Sequence, residues 1–224
     1  MSPTSALPWE YSDLRSVSWR LAANAARGIV DGSIPAGTVL TESALADEGG
    51  ASRTPAREAM VQLQTWGLVR LMPKKGAVVT VMSDRERDEL LDVRSSLEQR
   101  AGEVISADAE LAGELADRLD DLHAAQERAI AEEDALAFAG LCVTYHLQII
   151  AIDGNEVVQQ VVDLLGPRLA RVTYMAVAGD LKAARRFLDE HRDLAAVIRS
   201  GDGAAFAGSV HTHIAGSRPT GAVR

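Results

Sequence analysis

The sequence is short of cysteine, aromatic residues and positive charge. Its one cysteine, Cys142, excludes an intrachain disulfide, which fits a reducing compartment. Aromatic residues make up only 4% of the 224, yet 47% of the chain is hydrophobic and 25% charged. That is an ordinary globular balance, long enough for one large domain or two smaller ones with a core each. No apolar run is expected to reach the ~20 residues of a membrane-spanning helix. The start, MSPTSALPWEYSDLR, lacks a basic stretch followed by an apolar one, so no signal peptide is expected. These absences predict a soluble cytoplasmic protein with no membrane partner. The net charge of −9 speaks against a polyanionic partner, but its distribution does not. Residues 1–82 hold eight Lys and Arg against seven Asp and Glu, and residues 83–224 hold fifteen against twenty-five. The acidity belongs to the second part, and the first can still present a local positive surface.

What is present divides the same way. Residues 1–12 read as a flexible tail. From Leu14 to Asp31, Leu14, Val17, Leu21, Ala25 and Ile29 recur at helical spacing, and Gly32 ends the run. Thr41-Glu42-Ser43 opens a second, short helix that Gly49-Gly50 breaks. Ser52 is placed to cap a third helix with Pro55 in its first turn, ended by Gly67. Two β-type runs, Leu68–Met72 and Ala77–Val81, flank a turn at Pro73-Lys74-Lys75-Gly76. Helix, helix, helix, hairpin is the order of a winged helix-turn-helix, predicted over 13–82. Ser83-Asp84-Arg85-Glu86 reads as a capping box that starts a second domain, 83–215. Beyond it only helical periodicity is seen, with breaks near Ala107, Glu132, Gly154, Gly179 and Gly201. Six or seven helices in an antiparallel bundle are expected, and 216–224 as a flexible tail. The predicted fold class is therefore mainly α.

The stretch Ala51–Met60, ASRTPAREAM, carries the most chemistry. Arg53 and Arg57 share a face at the start of a helix, and a guanidinium fork can pair with O6 and N7 of guanine in the major groove. The hydroxyls of Ser52 and Thr54, with the free N–H groups of the helix start, suit phosphate oxygens. Lys74, Lys75 and Gly76 at the hairpin tip are candidates for the minor groove or the backbone. Alone, two spaced arginines are usually solvated surface charges; the surrounding helix-turn-helix and wing favour the DNA reading.

GSIPAG-TVLTESALA-DEGGASRTPAREAMVQLQTWGLVRLMPKKGAVV resembles the winged helix of GntR-type regulators almost position for position. The helical second part resembles the FCD effector domain of the FadR-like subfamily, so the resemblance spans about 14–215. It implies a homodimer on a short pseudo-palindromic double-stranded operator, with Ser52, Arg53, Thr54, Arg57, Lys75 and Gly76 at the family's DNA-facing positions. Ser43 departs from it, because some relatives carry a DNA-contacting Arg or Lys there.

Five histidines are present, and His146, His191 and His213 occupy apolar stripes of three separate helices. His211 is about 200° round the helix from His213 and points elsewhere. His123 is assigned to the surface. A lone histidine on an apolar face is more often a packed core residue, but imidazoles converging from three helices suit a divalent metal. The resemblance supplies the convergence: TYHLQIIAIDGN, DEHRDLAAVIRSGD and His213 match the family's metal-binding motifs. The family's usual fourth ligand is an aspartate four residues before the first histidine, and here that position is Cys142. Two readings stand: a Cys plus three-His set favouring zinc, or a small buried hydrophobe. Arg94 and Glu98, four apart, are either a surface ion pair or, as the resemblance implies, a cavity-facing guanidinium suited to a carboxylate effector. Arg168 and Arg171 are assigned to the pocket or to a partner subunit, Tyr145 and Tyr174 to the pocket wall, and Asn155 to a helix cap.

These readings predict a ligand-responsive regulator, a repressor released by a small organic acid, and no enzyme. A metal-dependent hydrolase fused to a DNA anchor is the reading from another class. No HExxH motif, nucleophile elbow or carboxylate base beside the histidines supports it. An activator without small-molecule input would use the same domains.

Overall fold

The computed structural model describes residues 7–10 and 16–217. The first domain is built from α1 (Val17–Val30), β1 (Val39–Leu40), α2 (Glu42–Glu48), α3 (Arg53–Thr65), β2 (Val69–Met72) and β3 (Gly76–Val79). The strands form an antiparallel sheet in the order β1-β3-β2, with Leu40 opposite Ala77 and Arg70 opposite Val78. β1 is absent from the sequence reading because two residues carry no alternation to detect. Gly76 is required at the wing: its φ is +93°, and a Cβ there would lie 2.1 Å from the Leu40 carbonyl oxygen. Ser16 and Thr41 cap α1 and α2 through their side chains. Ser52 stands at the N-cap of α3 but makes no cap hydrogen bond, contrary to expectation, so its exposed hydroxyl is left for other partners.

The second domain consists of α4 (Asp84–Gln99), α5 (Ala101–Ala107), α6 (Ala109–Ala131), α7 (Ala135–Ile150), α8 (Glu156–Val177), α9 (Leu181–Arg199) and α10 (Gly203–Gly216). Most start at a side-chain cap that the sequence places at a break. Asp108, Asp134, Asn155, Asp180 and Asp202 each accept a backbone N–H from the first turn that follows. Ser83 does the same for α4, accepting from the Glu86 N–H at 3.1 Å. The Glu86 carboxylate pairs instead with Arg168, so only half of the expected capping box is used.

Three expectations need correction. The segment Ala135–Asp153, 19 residues, is long and apolar enough by composition to cross a membrane. It is two-thirds buried inside the bundle, which identifies α7 as a core helix rather than a span. The C-terminal tail starts later than Gly216: that residue ends α10, and Ser217, buried, donates its hydroxyl to the His213 carbonyl at 3.0 Å. Residues 218–224 lie outside the described ones.

The N-terminal tail is also not all tail. Residues 1–6 and 11–12 lie outside the described ones, but Pro8–Glu10 forms a 3-10 turn with Leu7 and Trp9 both buried. Trp19 donates its indole N–H to the Trp9 carbonyl at 2.8 Å, and Trp19 and Trp9 both pack on Trp66 of the winged domain. Leu7 lies on Gly140 of α7, where a Cβ would come within 2.9 Å of its side chain. Three of the few aromatic residues are spent on this junction. Trp9→Ala should therefore destabilise the full chain by about 3 kcal/mol in urea unfolding. A change below about 0.5 kcal/mol would mean that the turn only rests on the surface.

The junction continues along α8. Arg171 Nη1 donates to the Thr80 carbonyl at 2.9 Å, and Arg168 Nη1 lies 3.6 Å from Glu86 Oε1. One continuous apolar core runs through both domains.

Candidate nucleic-acid interface and metal centre

The first candidate site is a concavity of about 630 Å³ between α3 and the wing. Arg53, Arg57, Lys74, Lys75 and Gly76 all line it, so a sequence separation of some twenty residues closes into one face. Ser52 and Thr54 are exposed beside it at the start of α3. Thr41, Glu42 and Ser43 at the start of α2 line it as well, with Glu42 Oε1 4.0 Å from Arg57 Nε. The fold explains the arrangement: Ala56, Ala59, Met60 and Leu63 bury one stripe of α3, which leaves Arg53 and Arg57 outward.

The second is buried in the bundle. His146 of α7, His191 of α9 and His213 of α10 bring ring nitrogens within 4.8 Å of one another. His146 Nε2 lies 3.3 Å from His191 Nε2 and 3.2 Å from His213 Nε2. Nitrogens bound at ~2.0 Å to a tetrahedral zinc ion would be ~3.3 Å apart, so the donor set fits a divalent metal.

The other ring nitrogens are all held by side chains. His146 Nδ1 lies 2.9 Å from Glu98 Oε2, and His213 Nδ1 lies 2.7 Å from Glu190 Oε2. His191 Nδ1 lies 3.2 Å from Gln126 Oε1 and 3.1 Å from its Nε2, and pairing with Oε1 is the arrangement that leaves the Nε2 lone pair of His191 for the centre. A proton on each Nδ1, donated to these oxygens, turns each Nε2 lone pair toward the centre. Burial holds His146 and His191 well below the usual histidine range, and His213 down to about 4. All three are thus neutral at pH 7, the form that binds metal.

Cys142 does not join them. Among the described residues the converging donors are the three histidines, and burial raises the Cys142 thiol above its ordinary range in the metal-free chain. Its Sγ accepts instead from the Gln126 amide at 3.5 Å. Of the two sequence readings, the buried hydrophobe is the one that the geometry favours.

Arg94 is 5% exposed and Glu98 0%, so this pair is not on the surface. Arg94 Nε lies 2.9 Å from Glu98 Oε1, a charge contact outside hydrogen-bond alignment, and Nη2 has no hydrogen-bond partner either. Burial pushes the Glu98 carboxyl up to about 7, against the pull of Arg94. The guanidinium lines a small cavity, about 10 Å³, together with the three histidines.

Other sequence candidates lie elsewhere. Tyr145 is not on the cavity wall. It stacks on His191 at 4.2 Å between ring centres and donates its hydroxyl to the His191 carbonyl at 2.7 Å, which makes it a positioning residue. Val172, Thr173 and Ala176 are the residues of α8 that face the cavity. Arg168 is a turn away, at the winged domain, and Tyr174 is rotated ~100° off that face. His123 is buried, not on the surface: it continues the inward stripe Leu119, His123, Gln126 and Ile130 and stacks on Tyr145. His211 is exposed, as expected. Sequence reasoning missed Gln126, Glu190, Thr173 and Ser217. Only Glu190, next to His191, left any local signal.

The comparisons agree with this architecture. Residues 20–79 match the model of the gntR family of bacterial regulatory proteins, and residues 89–216, more than half the chain, match the FCD domain. The chain belongs to the GntR family. It is a ligand-responsive, DNA-binding transcriptional regulator and not an enzyme. Among its relatives, the gluconate operon transcriptional repressor of Bacillus subtilis is 29% identical over 209 residues, 91% of this chain and 84% of that protein. A probable D-xylose utilization operon transcriptional repressor of Paenarthrobacter nicotinovorans is 24% identical, covering 85% and 82%. A GntR-type transcriptional regulator from Rhodococcus sp. RHA1 has the same fold, with a TM-score of 0.75 at 18% identity over 91% of this chain and 96% of that one. In this GntR-type regulator the winged domain supplies the DNA contact and the FCD domain the effector site.

Proposed function

We propose that the protein is a cytoplasmic, homodimeric repressor that a small carboxylate releases from a pseudo-palindromic operator. The carboxylate binds beside a divalent metal, zinc, held by His146, His191 and His213. One observation carries this reading: a buried guanidinium, ion-paired to Glu98 through Nε but with Nη2 left without a hydrogen bond, shares a cavity with three inward-facing imidazole nitrogens. A metal there supplies Lewis acidity and positive charge. Arg94 adds a fork that fits a carboxylate, and the apolar bundle excludes competing water. Among the relatives named as repressors, one is of a gluconate operon and one, as probable, of a D-xylose utilization operon.

The wiring for a response is continuous. Val172, Thr173 and Ala176 face the cavity, and Arg168 and Arg171 of the same helix hold Glu86 and the Thr80 carbonyl at the base of the wing. Leu91 and Arg94 face it from α4, which starts directly after the wing. The cavity must widen to admit an organic acid, and widening moves the helices that orient the winged domain. Ligand and operator then favour different arrangements, the condition for coupling. For the dimer, Val157, Val161 and Leu164 are exposed at spacings of four and three on α8, an apolar stripe that a second copy would cover.

Duplexes selected from a randomised pool by the full-length protein should carry an inverted repeat, and the protein should sediment as a dimer. Leu164→Glu should sediment as a monomer and lose at least tenfold in affinity for that repeat. A monomeric parent protein, or enrichment of a single half-site, would sink the dimeric reading.

A further inference from the structure

All three tryptophans of the chain, Trp9, Trp19 and Trp66, meet at the turn Pro8–Glu10. Trp66 is the C-cap of α3, the helix that presents Arg53 and Arg57 to the concave face. Leu7, just before the turn, is buried on the other domain, against Gly140 of α7. The turn packs on α8 as well. Both α7 and α8 line the histidine cavity, and Gly140 stands on α7 within two turns of His146. Residues 7–10 therefore touch the end of the recognition helix on one side and the helix of a proposed metal ligand on the other.

We infer that this turn is a strap that couples the cavity to the recognition helix. A shift of α7 moves Leu7, and through Trp9 it moves Trp66 and the end of α3. The inference rests on the metal reading above and adds a connection separate from the α4 and α8 contacts to the wing. Two observations bear on how the strap is held. A glycine inside a helix costs stability relative to alanine, and α7 carries one where the strap comes closest. The three atoms from elsewhere in the fold that lie nearest to a Cβ on Gly140 all belong to Leu7, so the glycine is the seat of the leucine. Against this, the Trp9 indole N–H is buried with no hydrogen-bond partner among the described residues. Water would satisfy that donor if the turn lifted, so the docked state is held less firmly than its buried hydrocarbon alone would hold it. A strap with a fitted seat and an unsatisfied donor has two arrangements to choose between. A ligand that repositions α7 then favours one of them, and the wing and α3 follow.

Because no tryptophan lies outside the junction, the tryptophan emission of the full chain reports on this place alone. Zinc added to the metal-free protein should shift that emission. Gly140→Leu fills the seat from α7 with a side chain of the same kind as Leu7, so it lifts the strap and keeps hydrocarbon buried there. This variant should bind zinc within about twofold of the parent by chelator competition, yet show no emission shift. Leu7→Ala, which leaves α7 untouched, should behave in the same way. Linkage is reciprocal, so the selected inverted repeat should change the zinc affinity of the parent at least about fivefold, and that of either variant less than about twofold. Zinc bound by the parent without an emission shift, or a link between zinc and DNA that survives in both variants, would overturn the strap and leave the metal reading standing. No zinc uptake by the parent would overturn both.

Discussion

His146→Ala should purify without zinc, and Cys142→Ser should carry as much as the parent protein. The contrast follows from where the lone pairs point. His146 Nε2 stands between the other two, 3.3 and 3.2 Å away, so its removal leaves two donors, too few for a buried site. Its removal also strands Glu98, which is fully buried and loses its neighbour on Oε2. That costs stability, so the metal readout needs a partner that spares the fold. Gln126→Leu is that partner. Its amide is not a ligand; it fixes the proton of His191 on Nδ1. Losing such support costs metal affinity about 10- to 100-fold, measurable by chelator competition. Cys142→Ser changes neither the donor set nor the packing volume by much. Zinc that falls with this substitution would make the thiol a ligand and overturn the three-histidine assignment.

Each histidine was visible as a polar interruption of an apolar stripe, and helix breaks at Asp134, Asp180 and Asp202 fixed the start of the three helices that carry them. Convergence was not visible, because it depends on how α7, α9 and α10 pack; it came from resemblance. Gln126 was hidden for a different reason. It sits on α6, one turn from His123, and nothing local distinguishes a buried amide from a solvated one. The same limit applies to Arg168. Both α8 arginines look alike in sequence, but Arg168 stands one turn along the helix from Val172, so Arg168 and Arg171 reach the wing while Val172, Thr173 and Ala176 face the cavity. The Trp9 turn escaped because three residues are too few for periodicity and its partners, Trp19, Trp66 and α7, are distant in sequence. Fold class is set by patterns that repeat; the supporting contacts are set by single residues, and those need coordinates.

The DNA-facing arginines were legible, and their test has the second large effect. Arg53→Ala and Arg57→Ala should each weaken binding to the selected inverted repeat by about 1–3 kcal/mol per half-site, the value of a bidentate base contact. In a dimer each substitution acts twice, so a loss of at least about thirtyfold is expected from either one. Stability should not follow, because both side chains are exposed and changes at such sites stay within about 0.5 kcal/mol. Lys75→Ala should behave differently. At the wing tip it neutralises phosphate, so its loss should weaken all sequences alike and lower the salt slope by about one unit for each contact removed. Glu42 supplies an internal check. Its carboxylate lies 4.0 Å from Arg57 on the same concave face, where it opposes the approach of phosphates. Glu42→Gln should therefore tighten non-specific binding while leaving the selected sequence unchanged. If Arg57→Ala instead weakened every duplex equally and kept the preference among them, Arg57 would be a phosphate contact, and base reading would fall to Arg53 and the start of α2.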